Sequence, residues 1–250
     1  MLNGKVAIIT GAGSGFGKGI AERFAKAGAA VVANDLRESS LNEVLPGLVS
    51  ASKESIGVAA DVSTSDGVDK IVDAALQKFD RIDVLVNNAG YTHVNSSLLD
   101  VSEADLNRVI DVNIRSIYYF VRRVVPQMRE KKGGSIVNIG SVGALRPRPG
   151  LGWYCAAKGA VNTLTKVMAV EFADHNIRVN CICPAAGDTG MMQASLGEDT
   201  PERRARVLGT IPLGRFATPA DIASMAVFLS SDEAAFITGG IFPVDGGRSV

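Results

Sequence analysis

An α/β fold with a mostly parallel sheet, helices on both faces, follows from three features of the sequence. Short apolar, β-branched runs alternate with amphipathic segments from end to end. The first run leads straight into "TGAGSGFG" (10–17), in which four of eight residues are glycine. The second run closes on an aspartate, Asp35.

Taken in order, "KVAIIT" (5–10) reads as a strand covered on both faces. In "FGKGIAERFAKAG", Phe16, Ile20 and Phe24 recur every four residues, and Gly28 can end the helix. "AVVAND" (30–35) is a second strand. "IGVAAD" (56–61), "IDVLVNN" (82–88), "SIVNIG" (135–140), "IRVNCIC" (177–183) and "GIFPVDG" (240–246) bring the total to seven. Further helical patterns occupy "DGVDKIVDAALQKF", "EADLNRVIDVNIRSIYYFVRRVVPQM", "GWYCAAKGAVNTLTKVMAVEFA" and "PADIASMAVFLS". No linker or repeat interrupts them, so residues 1–250 form one dinucleotide-binding and catalytic domain. The stretch from Gly187 to Thr210 is the longest irregular segment. It lies where a substrate lid would sit, at about 187–210.

The totals exclude several classes. Twenty-six basic residues balance 26 acidic ones, which argues against a nucleic-acid partner. Cys155, Cys181 and Cys183 are too few and wrongly spaced for a disulfide frame or metal site, and suit reduced thiols in a cytoplasmic protein. No secretory leader and no apolar run of about 18 residues is visible, so no membrane association is expected. His93 and His175 do not cluster with other metal-ligating residues, so no metal is expected. His93 reads as a loop histidine bordering the site at most.

In a parallel sheet, ligands bind beyond the carboxyl ends of the strands. Gly11, Gly13, Gly15 and Gly17 stand at such an end, where a helix begins. Lacking Cβ atoms, they let main-chain amides approach a diphosphate, and the helix adds a positive dipole end. Asp35, about 20 residues on, is placed to bind the adenosine ribose hydroxyls and to repel a 2′-phosphate. It therefore favours NAD over NADP. Arg37, two residues later, could pair with a 2′-phosphate and pulls the other way.

The second half carries the chemistry. Tyr154 and Lys158 are four apart on a helical pattern and share a face. Ser141 ends the strand before them. A phenol titrating near 10 is a poor base at neutral pH. A neighbouring ammonium, together with an oxidised nicotinamide ring, is expected to lower that value. Tyr154 then exchanges a proton with an alcohol while Ser141 holds the substrate oxygen.

With these motifs in place, the chain resembles a classical short-chain dehydrogenase/reductase over essentially its whole length, with a Rossmann-type, doubly wound sheet. The glycine pattern is Thr10, Gly11, Gly15 and Gly17, with Ser14 and Phe16 inside it. The NNAG stretch is Asn87, Asn88, Ala89 and Gly90. The resemblance implies a catalytic tetrad of Asn113, Ser141, Tyr154 and Lys158. Tyr154 is then the general acid/base. Lys158 binds the nicotinamide ribose and lowers the tyrosine's pKa. Ser141 positions the substrate, and Asn113 holds a proton-relaying water. Asp61 and Val62 match the pair that brackets the adenine, and Asn87, Ala89 and Gly90 line the cofactor cleft, with Tyr154 and Lys158 at its reacting end. After the sixth strand, Pro184, Gly187 and Thr189 meet the nicotinamide. Here Ala185 replaces a usual glycine and Gly187 a usual side chain, which predicts a somewhat altered loop path without loss of cofactor binding. The resemblance also implies a homotetramer or homodimer, pairing through the helices that carry Asn113 and Tyr154.

The expected function is NAD-dependent interconversion of a secondary alcohol and a ketone. An NADP(H)-dependent 3-oxoacyl reductase is the alternative, and a non-catalytic nucleotide-sensing or scaffold protein a third reading. Within the segment before Tyr154, Arg146 and Arg148 either bind a carboxylate or phosphate on the substrate or form a solvated or subunit-contact loop. Met191 and Met192 either line an apolar pocket or pack the lid.

Overall fold

The computed structural model describes residues 1–52 and 54–250. Its seven strands are β1 (Val6–Ile9), β2 (Ala30–Asp35), β3 (Ile56–Ala59), β4 (Val84–Asn87), β5 (Gly134–Ile139), β6 (Ile177–Pro184) and β7 (Ile241–Val244). They form one sheet in the order β3-β2-β1-β4-β5-β6-β7, every pair parallel. The strand order reverses between β1 and β4, and a doubly wound sheet of this kind opens its ligand crevice there.

The helices are α1 (Gly15–Lys26), α2 (Glu38–Ala51), α3 (Ser65–Phe79), α4 (Glu103–Ile110), α5 (Ser116–Glu130), α6 (Gly152–Glu171), α7 (Met191–Leu196), α8 (Pro201–Leu208) and α9 (Pro219–Ser230). Alternation along each strand divides the core between the two faces. Ile8 and Val32 pack with Ile71, Phe120, Val124 and Val161 on one side. Ile9 and Val31 pack with Ile20, Phe24, Leu48 and Ile222 on the other.

Three elements differ from the sequence reading. Residues 38–51 form a helix, α2, although Pro46 and Gly47 interrupt its pattern. Leu41, Val44 and Leu48 carry the 3–4 spacing that buries it against the sheet. The lid region is also not irregular: it contains α7 and α8. Thr200 caps α8 by accepting from the Arg203 amide, and Pro201 occupies its first turn.

The third difference is a widened turn. The single helical pattern from residue 103 onward breaks into α4 and α5 around a π-turn at Asp111–Arg115. Asn113 Nδ2 donates to the Val109 carbonyl (2.8 Å), and Ser116 Oγ donates to the Val112 carbonyl (2.7 Å). Two side chains thus take carbonyls that an α-helix would have bonded to amides four residues on, and the Ser116 amide reaches back five residues to Asp111.

Candidate active site

The cleft is a cavity of about 720 Å³ at the carboxyl ends of the central strands. Gly11, in the left-handed region at φ +64°, turns the chain from β1 toward α1. Gly17 is needed for closeness: a Cβ there would run into the Gly11 carbonyl. The turn is tied to β4 by Thr10, whose hydroxyl accepts from the amides of Asn88 (3.0 Å) and Ala89 (2.9 Å). Asn88 Nδ2 donates back to the Thr10 carbonyl at 2.7 Å.

At the far end of the cleft, Asp35 Oδ2 accepts from the Gly13 amide (3.0 Å) and Oδ1 from the Arg37 amide (3.1 Å). The carboxylate therefore stands at the end of β2 beside the glycine turn. Asp61, which accepts from the Ser63 amide and hydroxyl, and the buried Val62 form the adjoining wall. Glycines that leave no room for a Cβ and an acid at this spacing fit a nicotinamide dinucleotide, diphosphate over the turn and adenosine ribose at Asp35.

Ser14, Gly15, Phe16, Ala89, Gly90, Ser141, Tyr154, Lys158, Pro184, Gly187 and Thr189 also line the cleft. Asn87 and Asn113 do not. Asn87 is buried behind the cleft, where Nδ2 donates to Asn138 Oδ1 (2.8 Å) and Asn138 Nδ2 donates to Thr165 Oγ1 (2.9 Å). It joins β4 and β5 to α6, the helix that carries Tyr154 and Lys158. Within the NNAG stretch it is the neighbour, Asn88, that lines the cleft. The buried Asn113 side chain gives its amide to the carbonyls of Tyr91 (2.7 Å) and Val109. It shapes the loop after β4 from behind.

The loop after β6 shows why Gly187 stands where a side chain was expected. A Cβ at Gly187 would collide with the Phe16 ring and come within 2.9 Å of the Ala217 carbonyl. The Phe16 ring fills that volume from α1, and Gly187 pairs as a short parallel bridge with Ala217.

Burial sets the electrostatics of Tyr154 and Lys158 in the protein alone. Lys158 Nζ is buried, donates to the Ile139 carbonyl at 2.8 Å and lies 5.9 Å from the centre of the Tyr154 ring. Burial pushes its ammonium down to about 8. Tyr154 is not lowered: burial pushes the phenol up to about 12, opposed by a hydrogen bond with Ser141. In the protein alone, desolvation is the largest effect on the phenol. Lowering the phenol pKa therefore falls to added positive charge, the part the sequence reading gives to the oxidised nicotinamide ring.

The 187–210 segment is fastened down. The Asn95 amide donates to the Ala194 carbonyl (2.9 Å), and Asn95 Nδ2 and Arg148 Nη2 both reach the Ser195 carbonyl (3.1 and 2.8 Å). Met191 and Met192 both line the cleft, and Met192 also packs against Leu196 and Val207. Arg203 and Arg204 pair with Glu198, Asp188 and Asp199, so this part of the basic run on α8 is a neutralised surface. His93 does not line the cleft: it is buried, with Nδ1 2.8 Å from the Val94 carbonyl and Nε2 without a partner among the described residues. Arg248 was missed. It lines the cleft from the carboxyl-terminal turn, and no sequence pattern links it to residues a hundred positions earlier.

Comparison with known proteins agrees with this geometry. A family model described as enoyl-(acyl carrier protein) reductase matches residues 11–249. The 4-formylbenzenesulfonate dehydrogenase of Comamonas testosteroni is 43% identical, the alignment covering 100% of this chain and 99% of that one. The 3-oxoacyl-[acyl-carrier-protein] reductase of Thermotoga maritima is 40% identical, with 98% of each chain covered. The crystal structure of a 3-ketoacyl-(acyl-carrier-protein) reductase from Brucella melitensis, complexed with NADH, superposes with a TM-score of 0.94 over 100% of both chains at 42% identity. The chain belongs to the classical short-chain dehydrogenase/reductase family and is an NAD(P)-dependent oxidoreductase acting on CH–OH groups.

Proposed function

We propose that the protein interconverts a secondary alcohol and a ketone with NAD, Tyr154 serving as general acid/base. The observation that carries the reading is the meeting of Tyr154, Ser141 and Lys158 at one end of a glycine-floored cleft whose other end holds Asp35. The bound nicotinamide supplies the hydride chemistry. Ser141, which lines the cleft beside Tyr154, is placed to hold the substrate oxygen next to the phenol, which keeps the proton path short. Lys158, anchored on the Ile139 carbonyl, holds the nicotinamide ribose and favours the phenolate once a second positive charge is present. The Asn87–Asn138–Thr165 chain fixes α6 so that this geometry is preformed. Asn113 holds the inner wall on which a relaying water would rest.

Asp35 supports NAD as the cofactor. Its carboxylate would face a 2′-phosphate directly, and Arg37 is exposed at the rim. Turnover of a panel of secondary alcohols with both dinucleotides tests this. NAD is expected to exceed NADP in kcat/KM by about 10- to 100-fold, as for a like-charge contact of a few kcal/mol. Asp35→Ser should narrow that ratio. Equal use of both cofactors by the wild type would remove the NAD assignment. The 3-oxoacyl reductase reading draws on the two relatives that carry that name and on Arg37. It predicts NADPH-dependent reduction of a 3-oxoacyl thioester.

We infer further that α5 and α6 pair between copies of the chain. Tyr118 on α5 and Val167 and Val170 on α6 are exposed, Val170 at 80%. Sedimentation should give a dimer or tetramer, and Val170→Glu should lower the assembly state. A monomeric wild type at micromolar concentration would exclude it. The buried, unpaired thiols of Cys155, Cys181 and Cys183 support a reducing, cytoplasmic setting.

A further inference from the structure

Three arginines converge on the cleft without a carboxylate partner. Arg146, Arg148 and Arg248 all line it alongside Tyr154, and all three also line an adjoining cavity of about 270 Å³, with Arg206 on its far side. Arg146 Nη1 donates to the Arg248 carbonyl (2.8 Å) and Arg148 Nη2 to the Ser195 carbonyl. Among the described residues none of the three comes within 4 Å of an Asp or Glu oxygen, unlike Arg203 and Arg204 on the neighbouring α8.

Arg248 is the most telling of the three. It is 9% exposed, it donates no side-chain hydrogen bond among the described residues, and its buried Nε has no partner. Asp245 acts on Arg248 by charge alone: its oxygens accept from the amides of Gly247 (3.0 Å) and Ser249 (2.8 Å), which builds the turn that presents Arg248. Arg178, comparably enclosed, shows how the chain otherwise treats such a group. It donates to the carbonyls of Leu229 and Ser231. Burial makes the protonated forms of both Arg148 and Arg248 costlier, and the neighbouring Arg148 and Arg146 add to the cost at Arg248. Three like charges, one of them without an acceptor, are destabilising unless an anion joins them.

We propose that Arg146, Arg148 and Arg248 form an oxyanion-binding subsite, so that the preferred substrate is an alcohol or ketone bearing a carboxylate or sulfonate away from its reacting carbon. This rests on the oxidoreductase reading above for the position of the reacting carbon. Each guanidinium has five N–H donors, and the two lid and tail carbonyls use only one each from Arg148 and Arg146. Forked donors match planar and tetrahedral oxyanions alike. Because Arg148 holds Ser195 and Arg146 holds the carboxyl-terminal turn, the anion would also tie the lid to the tail.

The test has two arms. In the first, the NAD-loaded protein is titrated calorimetrically with benzenesulfonate, benzoate and the neutral benzenesulfonamide. Saturable binding of an anion, absent for the amide, is expected. It should be lost in Arg148→Leu/Arg248→Met and partly kept in Arg248→Lys. In the second arm, kcat/KM is compared for 4-(1-hydroxyethyl)benzenesulfonate, 4-(1-hydroxyethyl)benzoate and 4-(1-hydroxyethyl)benzamide. One or both anions should exceed the amide by about 10- to 100-fold, as for charge-assisted hydrogen bonds. Most of that should lie in KM, and Arg248→Met should collapse the ratio. The relative strengths of sulfonate and benzoate identify which oxyanion is preferred. Equal binding of anion and amide, or no anion binding at all, overturns the subsite. Anion binding without oxidation of any alcohol would instead count against the oxidoreductase reading and leave the subsite standing.

Discussion

Tyr154→Phe is expected to lower turnover of every secondary alcohol by about 10²–10⁴-fold, the range for loss of a positioned acid or base, while dinucleotide binding survives. The phenyl ring keeps the packing on α6, and Asp35, Gly11 and Gly17, which form the distant part of the cleft, are untouched. The pH profile follows from the same residue. Burial holds the phenol at about 12 in the protein alone, so at neutral pH it is protonated and suited to donate to a ketone. Alcohol oxidation needs the phenolate. Its rate should climb about tenfold per pH unit below the apparent pKa, and ketone reduction should level off and then fall over the same range. Oxidation that is flat from pH 6 to 10, or full activity in the phenylalanine variant, would remove Tyr154 from the role proposed for it.

Lys158→Met should abolish useful turnover and also stabilise the fold at neutral pH. The folded pKa of about 8 lies below the ordinary value of 10.5. Below pH 8 the lysine is charged in both folded and unfolded states, and the cost of burying the ammonium is fully present. Between 8 and 10.5 the folded protein loses its proton first, so stability rises with pH, and above 10.5 the cost is gone. A gap of that size corresponds to about 3 kcal/mol. The lost hydrogen bond to the Ile139 carbonyl offsets part of it, so a gain of about 1–3 kcal/mol is expected at pH 7. Urea unfolding of both proteins at pH 7 and pH 10 measures it. The variant should lead at pH 7 and the two should converge at pH 10. A variant less stable at pH 7 would show that Lys158 supports the fold as well as the chemistry.

Much of this was readable from the chain. Apolar period and glycine position mark all seven strands, because a strand covered on both faces has to be continuously apolar. The glycine turn and Asp35 are readable because spacing alone brings them to one sheet edge. The misses have physical causes too. α2 keeps its Leu41–Val44–Leu48 stripe, but Pro46 and Gly47 mask it. The π-turn depends on side-chain competition by Asn113 and Ser116, which leaves the helical period almost unchanged. Asn87 and Asn88 differ by one position and hence by one strand face, which a quoted motif does not distinguish. The pKa of Tyr154 depends on how much solvent is removed, a property of the assembled site. Arg248 joins Arg146 only through the fold.

The pairing of Phe16 with Gly187 constrains how this protein can be altered. The aromatic ring does the work of a wall that would otherwise hang from the opposite loop, so the two positions are a single unit shared between segments 171 residues apart. Grafting the 184–189 loop onto a scaffold with a small residue in place of Phe16 would open a hole the size of a phenyl ring beneath the ligand. A side chain at 187 requires Phe16 to be trimmed and the Ala217 carbonyl to shift in the same step. Attempts to reshape substrate choice here must exchange both residues together and give the Ala217 bridge room to move.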